Sequence, residues 1–501
     1  MAQHTPGSFD RFPAPVYRDT VLEPLFEQTK RLHAAALFRV HYAHALMLAE
    51  QAVVPAAEID RILAALRAIE RDFRPEAARY TGEHEDLFFL IEADLIRRLG
   101  PDLAGKLHTG RSRNDIDHTL FKMALKEHQI ALFERLHALI AALLEVAERE
   151  KATLVVAYTH GQPAQPTTFG HYLCALAEIL LRDVDRIAQA GRALDLCSMG
   201  AAAITTTGFL IDRARVASLL GFAEVQENSY GCIAACDYAT GLYAALKVMF
   251  INIGRFVQDL GQWTGFETGH LHVPDGFVQI SSIMPQKRNP VPIEHMRLMA
   301  SLGAGHCDAV VNTMHNTPFT DMNDCEAEVH AAGYQAFAAA DRLLRLLADF
   351  VRAVRVDEAQ VRRHIDESCI TITELADTLV RAENLSFRQA HEIAAHIARL
   401  AVGSRRALSA LPFAEIAAIF AHATGRALSL DEAALRRAAT PENFVAVRER
   451  QGGPGPQALA ASLSRYRAAL TAREAERTAM ARRIAEAGRQ LTALVDARVP
   501  R

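Results

Sequence analysis

Residues 114–160 read NDIDHTLFKMALKEHQIALFERLHALIAALLEVAEREKATLVVAYTH, a segment without a single glycine or proline. Apolar residues recur at Ile116, Leu120, Met123, Ile130, Phe133, Leu136, Ile140, Leu143 and Val146, which is helical spacing. Most of the segment is therefore predicted to be one amphipathic rod, roughly 50 Å long at ~1.5 Å per residue. A rod of that length needs partners of similar length. Candidates with the same periodicity follow at about 168–194, 236–262, 290–316 and 326–354, each ended by glycine or proline. Strand signals are few and short, so the fold expected is mainly α, with a central bundle of long helices. Three sections are expected: a mixed helical section over 1–110, the bundle over 111–360, and shorter helices over 361–501. No internal repeat or low-complexity segment stands out.

Composition narrows the function. Half of the 501 residues are hydrophobic and 23% charged, an ordinary globular balance, and the net charge of -4 gives no basic field for nucleic acid or anionic lipid. The opening MAQHTPGSFDRFPAPVYRD lacks the basic-then-apolar pattern of a secretory signal or transit peptide. The run GLYAALKVMFINIGRFV is interrupted by Lys247 and Arg255, and it reads as a buried helix, not a membrane span. Seven cysteines without a CxxC pair make neither a disulfide framework nor a zinc site. Reduced thiols, a cytoplasmic location and no metal or cofactor are expected, and HLH at 270–272 reads as a short polar strand.

Three polar clusters punctuate the helices. HTGRSRND, 108–115, offers Ser112 and Asn114 as neutral donors and Arg111 and Arg113 as guanidinium forks. The same residues suit a helix cap, and a helix N-terminus is itself an anion site. YTHGQPAQPTTFGH, 158–171, places Thr159 and His160 at the far end of the rod, although a lone histidine is more often structural. SSIMPQKRNP, 281–290, is read as a loop with Ser281, Ser282, Lys287 and Asn289; its plain reading is a solvated basic turn. Three clusters with anion-binding groups point to a small di- or tricarboxylate substrate. A Ser-His-Asp hydrolase is the rival, but neither serine sits in a G-x-S-x-G elbow. GAAAITTTG, 200–208, lacks the spacing of a nucleotide fingerprint.

Together these stretches resemble the fumarase and aspartase superfamily. SSIMPQKRNP is similar to its signature loop. EHEDLFFLIEADLIRRLGPDLAGKLHTGRSRND and YTHGQPAQPTTFGHYL narrow the resemblance to the argininosuccinate lyase branch, and HYAHALMLAEQ and ELADTLVRAENLSFRQAHEI extend it over most of the chain. The resemblance implies anti elimination of fumarate from a substituted succinate, without metal or cofactor. It also implies a homotetramer whose active sites combine clusters from three subunits. By that resemblance Ser281 is the base, its alkoxide stabilised by Lys287 and loop amides, and Lys287 and Asn289 hold the carboxylate that gains charge. His160 pairs with Glu294, and Ser112, Arg113, Asn114 and Thr159 grip the succinyl moiety.

The sequence departs from the branch in two places. Ile280 stands where the loop normally has glycine. In NTPFTDMNDCEAEVH, 316–330, Thr320, Cys325 and Glu328 replace the tyrosine, glutamine and lysine that hold the amino-acid end of the arginine moiety. A carboxylate in place of that lysine repels a substrate carboxylate. The succinyl half is thus expected to be kept and the amine half rebuilt. This favours N-substituted aspartates with another leaving amine, as in the lyases of ethylenediamine-disuccinate (EDDS) and related aminopolycarboxylates. Authentic argininosuccinate lyase activity and a non-catalytic crystallin-like role are the alternatives.

Overall fold

The structure is a computed structural model and describes residues 11–499; the first ten residues, part of the stretch read above for a leader, lie outside the described residues. Its N-terminal helices are α1 (Glu23–Leu32), α2 (Ala34–Glu50), α3 (Ala56–Asp72) and α4 (Leu87–Leu99). The rod is α5, Arg113–Arg149, of 37 residues. It is followed by a hairpin, β1 (Leu154–Thr159) and β2 (Gln162–Thr168), and by the bundle helices α6 (Phe169–Ala190) and α7 (Asp237–Thr264). A two-residue ladder, β3 (Gln279–Ile280) and β4 (Arg288–Asn289), precedes α8 (Val291–Thr313) and α9 (Ala327–Ala353). Beyond these come α10 (Ile372–Glu383), α11 (Phe387–Ser404) and the closing helix α12 (Pro456–Arg498). The four helices expected after the rod are all present, and the chain is mainly α.

The rod stops before Thr159 and His160, so the second polar cluster is not at its end as the periodicity suggested. Glu150 is followed by Thr153, Val155 and Val156, β-branched residues that favour a pleated surface, and Phe169 N–H closes the hairpin on Thr153 O at 2.8 Å. His160 and Gly161 both take positive φ, 55° and 73°, as a two-residue hairpin turn requires.

The direction of each bundle helix follows from its end contacts. Near the start of α7, Tyr238 Oη meets His118 Nδ1 in the first turns of α5 at 3.1 Å; at its end, Trp263 packs on Tyr172 beyond the far end of α5. α7 therefore runs parallel to the rod. α8 runs back, and α9 runs up again, from His330 against Phe121 to Arg352 against Glu145. The helices approach closely at small residues: a Cβ at Gly333 would lie 2.3 Å from Tyr243 Oη, and one at Gly303 2.3 Å from the Phe250 ring. α12 lies along α6, with Tyr466 Oη donating to Glu178 at 3.0 Å and Arg473 Nε to Asp185 at 2.8 Å, and its end enters the N-terminal core through Leu491 and Val495. α10 and α11 share a separate small core around Leu379, Ile393 and Ile397. Among the described residues no helix is long and apolar enough to cross a membrane.

Three histidines stand in the interior near the start of the rod. Burial pushes His33 down to about 4 and His118 and His330 each to about 3. A histidine depressed in the fold takes up a proton only on unfolding, so stability is full above ~6.5 and falls as pH drops below that value. Three such groups cost on the order of 4 kcal/mol per pH unit between about pH 6 and 4 if none relaxes. The urea midpoint is expected to fall steeply from pH 7 to pH 5. A midpoint flat across that window would mean that these imidazoles accept protons in the folded state.

Candidate active site

At the start of α5, Ser112 is the N-cap, and its backbone N–H donates to Asp115 Oδ1 at 2.9 Å. The other oxygen of Asp115 accepts from Gly200 and Ala202 N–H, both at 2.9 Å. GAAAITTTG thus serves as a backbone clamp on the rod's first turn. Arg113 Nη1 pairs with Glu85 at 2.7 Å and Asp86 at 3.1 Å, and Asp86 also caps α4 by accepting from Phe89 N–H at 3.0 Å. Asn114 Nδ2 donates to Asp321 Oδ2 at 2.7 Å, which ties the stretch 316–330 to this first cluster. Behind it His118, Tyr238 and His330 form a buried chain at 3.1 and 3.2 Å. The cap reading and the donor reading of HTGRSRND describe the same residues.

Thr159 and His160 are exposed at the tip of the β1–β2 hairpin. Within the chain His160 and Glu294, in the exposed first turn of α8, share no hydrogen bond or ion pair among the described residues. Of HLH, Leu271 and His272 lie in a strand, pairing with Arg355–Val356, and His270 just before it is buried with its Nε2 2.9 Å from His364 Nδ1.

The third cluster projects as a small hairpin. Gln279 pairs with Asn289 and Ile280 with Arg288. The base is held by Arg288, which pairs with Asp275 and donates from Nη2 to Val273 O at 2.8 Å. Asn289 Nδ2 donates to Gln279 O at 3.2 Å. Ile280 lies in this extended ladder with its side chain 83% exposed, so the position needs none of glycine's conformational freedom. Ser281 Oγ receives two backbone donors, Met284 N–H at 3.0 Å and Ile283 N–H at 3.4 Å. That is a local serine turn, and it is also an arrangement that favours negative charge on the oxygen. Lys287, six residues on in the same loop, is exposed, with no protein partner for its ammonium among the described residues. Among the described residues no histidine hydrogen-bonds either serine of the loop, which gives a Ser-His-Asp hydrolase no base there.

One chain does not bring the clusters together. The first lies at the start of α5. The loop follows the end of α7, whose 28 residues run parallel to α5 and span ~42 Å. The loop's half-length of about four residues reaches back no more than ~15 Å, leaving ~25 Å or more between Ser281 and Asn114. β1 folded straight back along the ~55 Å rod would still leave His160 ~35 Å from that cluster.

The Lyase family profile matches residues 13–302, and the argininosuccinate lyase C-terminal profile matches 369–446. The chain is 51% identical to argininosuccinate lyase 2 of Agrobacterium fabrum over 504 residues, covering 99% of this chain and 100% of that protein. It belongs to the argininosuccinate lyase branch of the fumarase/aspartase superfamily. Argininosuccinate lyase of Methanothrix thermoacetophila is 33% identical, covering 87% of this chain and 88% of that protein. Among solved structures, EDDS lyase in complex with formate superimposes with a TM-score of 0.84 at 26% identity, over 100% of this chain and 97% of that one. As a member of this branch the chain is an enzyme, a carbon–nitrogen lyase that releases fumarate.

Sequence reasoning passed over Asp117 and Glu326. Asp117 is one helical turn from Arg113, its carboxylate 3.9 Å from Nε. That i,i+4 spacing was the signal available.

Proposed function

We propose that the enzyme removes the amine from an N-substituted aspartate other than argininosuccinate, an aminopolycarboxylate such as EDDS, in sites assembled from three protomers of a homotetramer. The observation that carries the reaction is Ser281, whose oxygen already accepts two loop amides in the loop that also carries Lys287. Ser281 takes the proton from the carbon beside a carboxylate. Lys287 and Asn289 meet the charge that gathers on that carboxylate, where fixed donors act most strongly. The electron pair then forms the double bond of fumarate as the C–N bond breaks. An aliphatic substrate nitrogen, an ammonium at neutral pH, leaves as the free amine. Ser112, Arg113, Asn114 and Thr159 hold the succinyl half, and His160 with Glu294 completes the site from another protomer.

The tetramer is supported by the separation of the clusters and by apolar side chains left exposed on the bundle, Val248 and Ile251 on α7 and Leu298 and Leu302 on α8. Against argininosuccinate stand Thr320, Cys325 and Glu328. The Cys325 thiol is buried, with its pKa raised by burial, and Glu328 is exposed at the start of α9. The 51% identity to a protein named argininosuccinate lyase 2 favours the second reading, argininosuccinate itself. Following fumarate by its ultraviolet absorbance with EDDS and with argininosuccinate separates the two. Faster turnover of argininosuccinate would overturn the first.

The loop must admit a charged substrate and then exclude water, which one rigid surface does poorly. Its apolar tip, with Ile280 and Ile283 83% and 81% exposed, has little to pack against within the chain. Hydrogen exchange over 277–289 is therefore expected to slow when fumarate or succinate is added. Equal protection in both states would mean a preformed loop.

A further inference from the structure

Between α1, α5 and the first turn of α9 lies a cavity of about 290 Å3. One side is apolar, with Leu25, Phe26 and Phe121; the other carries Asp86, Asp117, Glu326 and Glu328. Among the described residues the sole cation in its wall is Arg113, whose Nη1 is already on Glu85 at 2.7 Å and Asp86 at 3.1 Å. Asp117 comes no nearer to that guanidinium than 3.9 Å, and Glu326 and Glu328 have no ion pair among the described residues. Burial first, and then a neighbouring carboxylate, Glu326 for the one and Asp321 for the other, raises the carboxyls of Asp117 and Glu326 above the ordinary range. The cavity thus holds more acids than its own residues balance, and a cation bound there would favour their ionised forms.

A second observation, independent of the acids, points the same way. His33 lines the cavity, is 1% exposed, and neither ring nitrogen has a hydrogen-bond partner among the described residues. It is edged by Phe121 and Tyr334, and burial holds it neutral, so one nitrogen is an acceptor without a donor. A buried polar group left unpaired costs about 1–3 kcal/mol unless a ligand or solvent group meets it. An ammonium would satisfy the imidazole and the carboxylates at once, and its methylenes would lie against the phenylalanines.

The cavity is continuous with the first polar cluster: Arg113 stands in its wall between Ser112 and Asn114, and Asn114 is bonded to Asp321 at 2.7 Å, just before Glu326. We infer that this cavity receives the departing amine arm of the substrate, and that it selects arms ending in an ammonium over arms ending in a carboxylate. Its volume is at the small end for ligand sites and suits a short diamine chain. The inference rests on the proposed elimination from N-substituted aspartates and narrows the leaving amine within it.

The test compares fumarate release by the intact enzyme from N-(2-aminoethyl)aspartate, whose arm ends in an ammonium, from EDDS, whose same linker ends in a second aspartyl group, and from argininosuccinate. The kcat/KM for the first is expected to exceed that for EDDS about tenfold or more, since a like charge facing a carboxylate is strongly unfavourable. Glu326→Gln removes one charge from the wall, and Glu328→Lys reverses one at an exposed position that folding does not depend on. Each is expected to lower the ratio about tenfold, mainly through KM for N-(2-aminoethyl)aspartate. A wild-type ratio below one, or a ratio unchanged in both variants, overturns the arm assignment while leaving the elimination intact. No fumarate from any of the three substrates would instead overturn the proposed function, and this inference with it.

Discussion

Replacing Ser281 with alanine is expected to lower kcat by about 10³-fold, within the range for loss of a positioned general base, and to leave substrate binding nearly unchanged. The substitution removes one oxygen from an exposed hairpin held at its base by Arg288, so the fold has little to lose. In the proposed mechanism what disappears is the acceptor that takes the proton from carbon, an interaction made only as the transition state forms. The same loss strands the amides of Ile283 and Met284, but at an exposed position solvent meets them. Ser282→Ala is the control, because no hydrogen bond within the chain holds its hydroxyl in place among the described residues. Near-normal turnover in Ser281→Ala with an inactive Ser282→Ala would put the base one residue later. Fumarate release and binding of a succinate analogue, measured on both variants, give the two readouts.

The difference between those two serines was legible before the structure, but only through family resemblance. Local chemistry gave two hydroxyls and a lysine in a loop; the two backbone donors converging on Ser281 depend on how the turn closes, which no spacing reports. The bundle was easier to read. Helical periodicity over 114–149 and the glycines and prolines between the later helices are local signals, and the helices formed where those signals lay. The end of the rod was misjudged because Lys151–His160 lacks glycine and proline, while its run of β-branched residues favours a strand. Ile280 stands where the branch has glycine, and only the extended ladder shows that it is an ordinary strand residue exposed to solvent. The acidic cavity was the hardest to see. Its members come from residues 33, 86, 117, 326 and 328, and only the return of α9 beside the start of α5 brings them onto one wall.

That same topology sets the second large effect. Asn114 and Ser281 lie at opposite ends of parallel helices, ~25 Å or more apart in one chain, so a site that uses both draws them from different protomers. On the proposed homotetramer, Ser281→Ala and Asn114→Leu should each be nearly inactive alone, the first lacking the proposed base and the second the proposed donor to the succinyl half. In a hybrid tetramer some sites combine the intact Ser281 of one chain with the intact Asn114 of another. With random association at equal amounts each group is intact in half the chains, so about a quarter of the sites in a closed symmetric assembly recover both. Mixing the two proteins, dissociating them with mild denaturant and letting them reassociate should raise activity from near zero to about a quarter of that of the unaltered enzyme treated alike. Simple mixing without dissociation should give nothing, because exchange of protomers is the step that creates intact sites. A reassociated mixture no more active than its two parents would place both groups in a site built from a single chain. The separation along α7 would then have to be bridged by a rearrangement of the bundle.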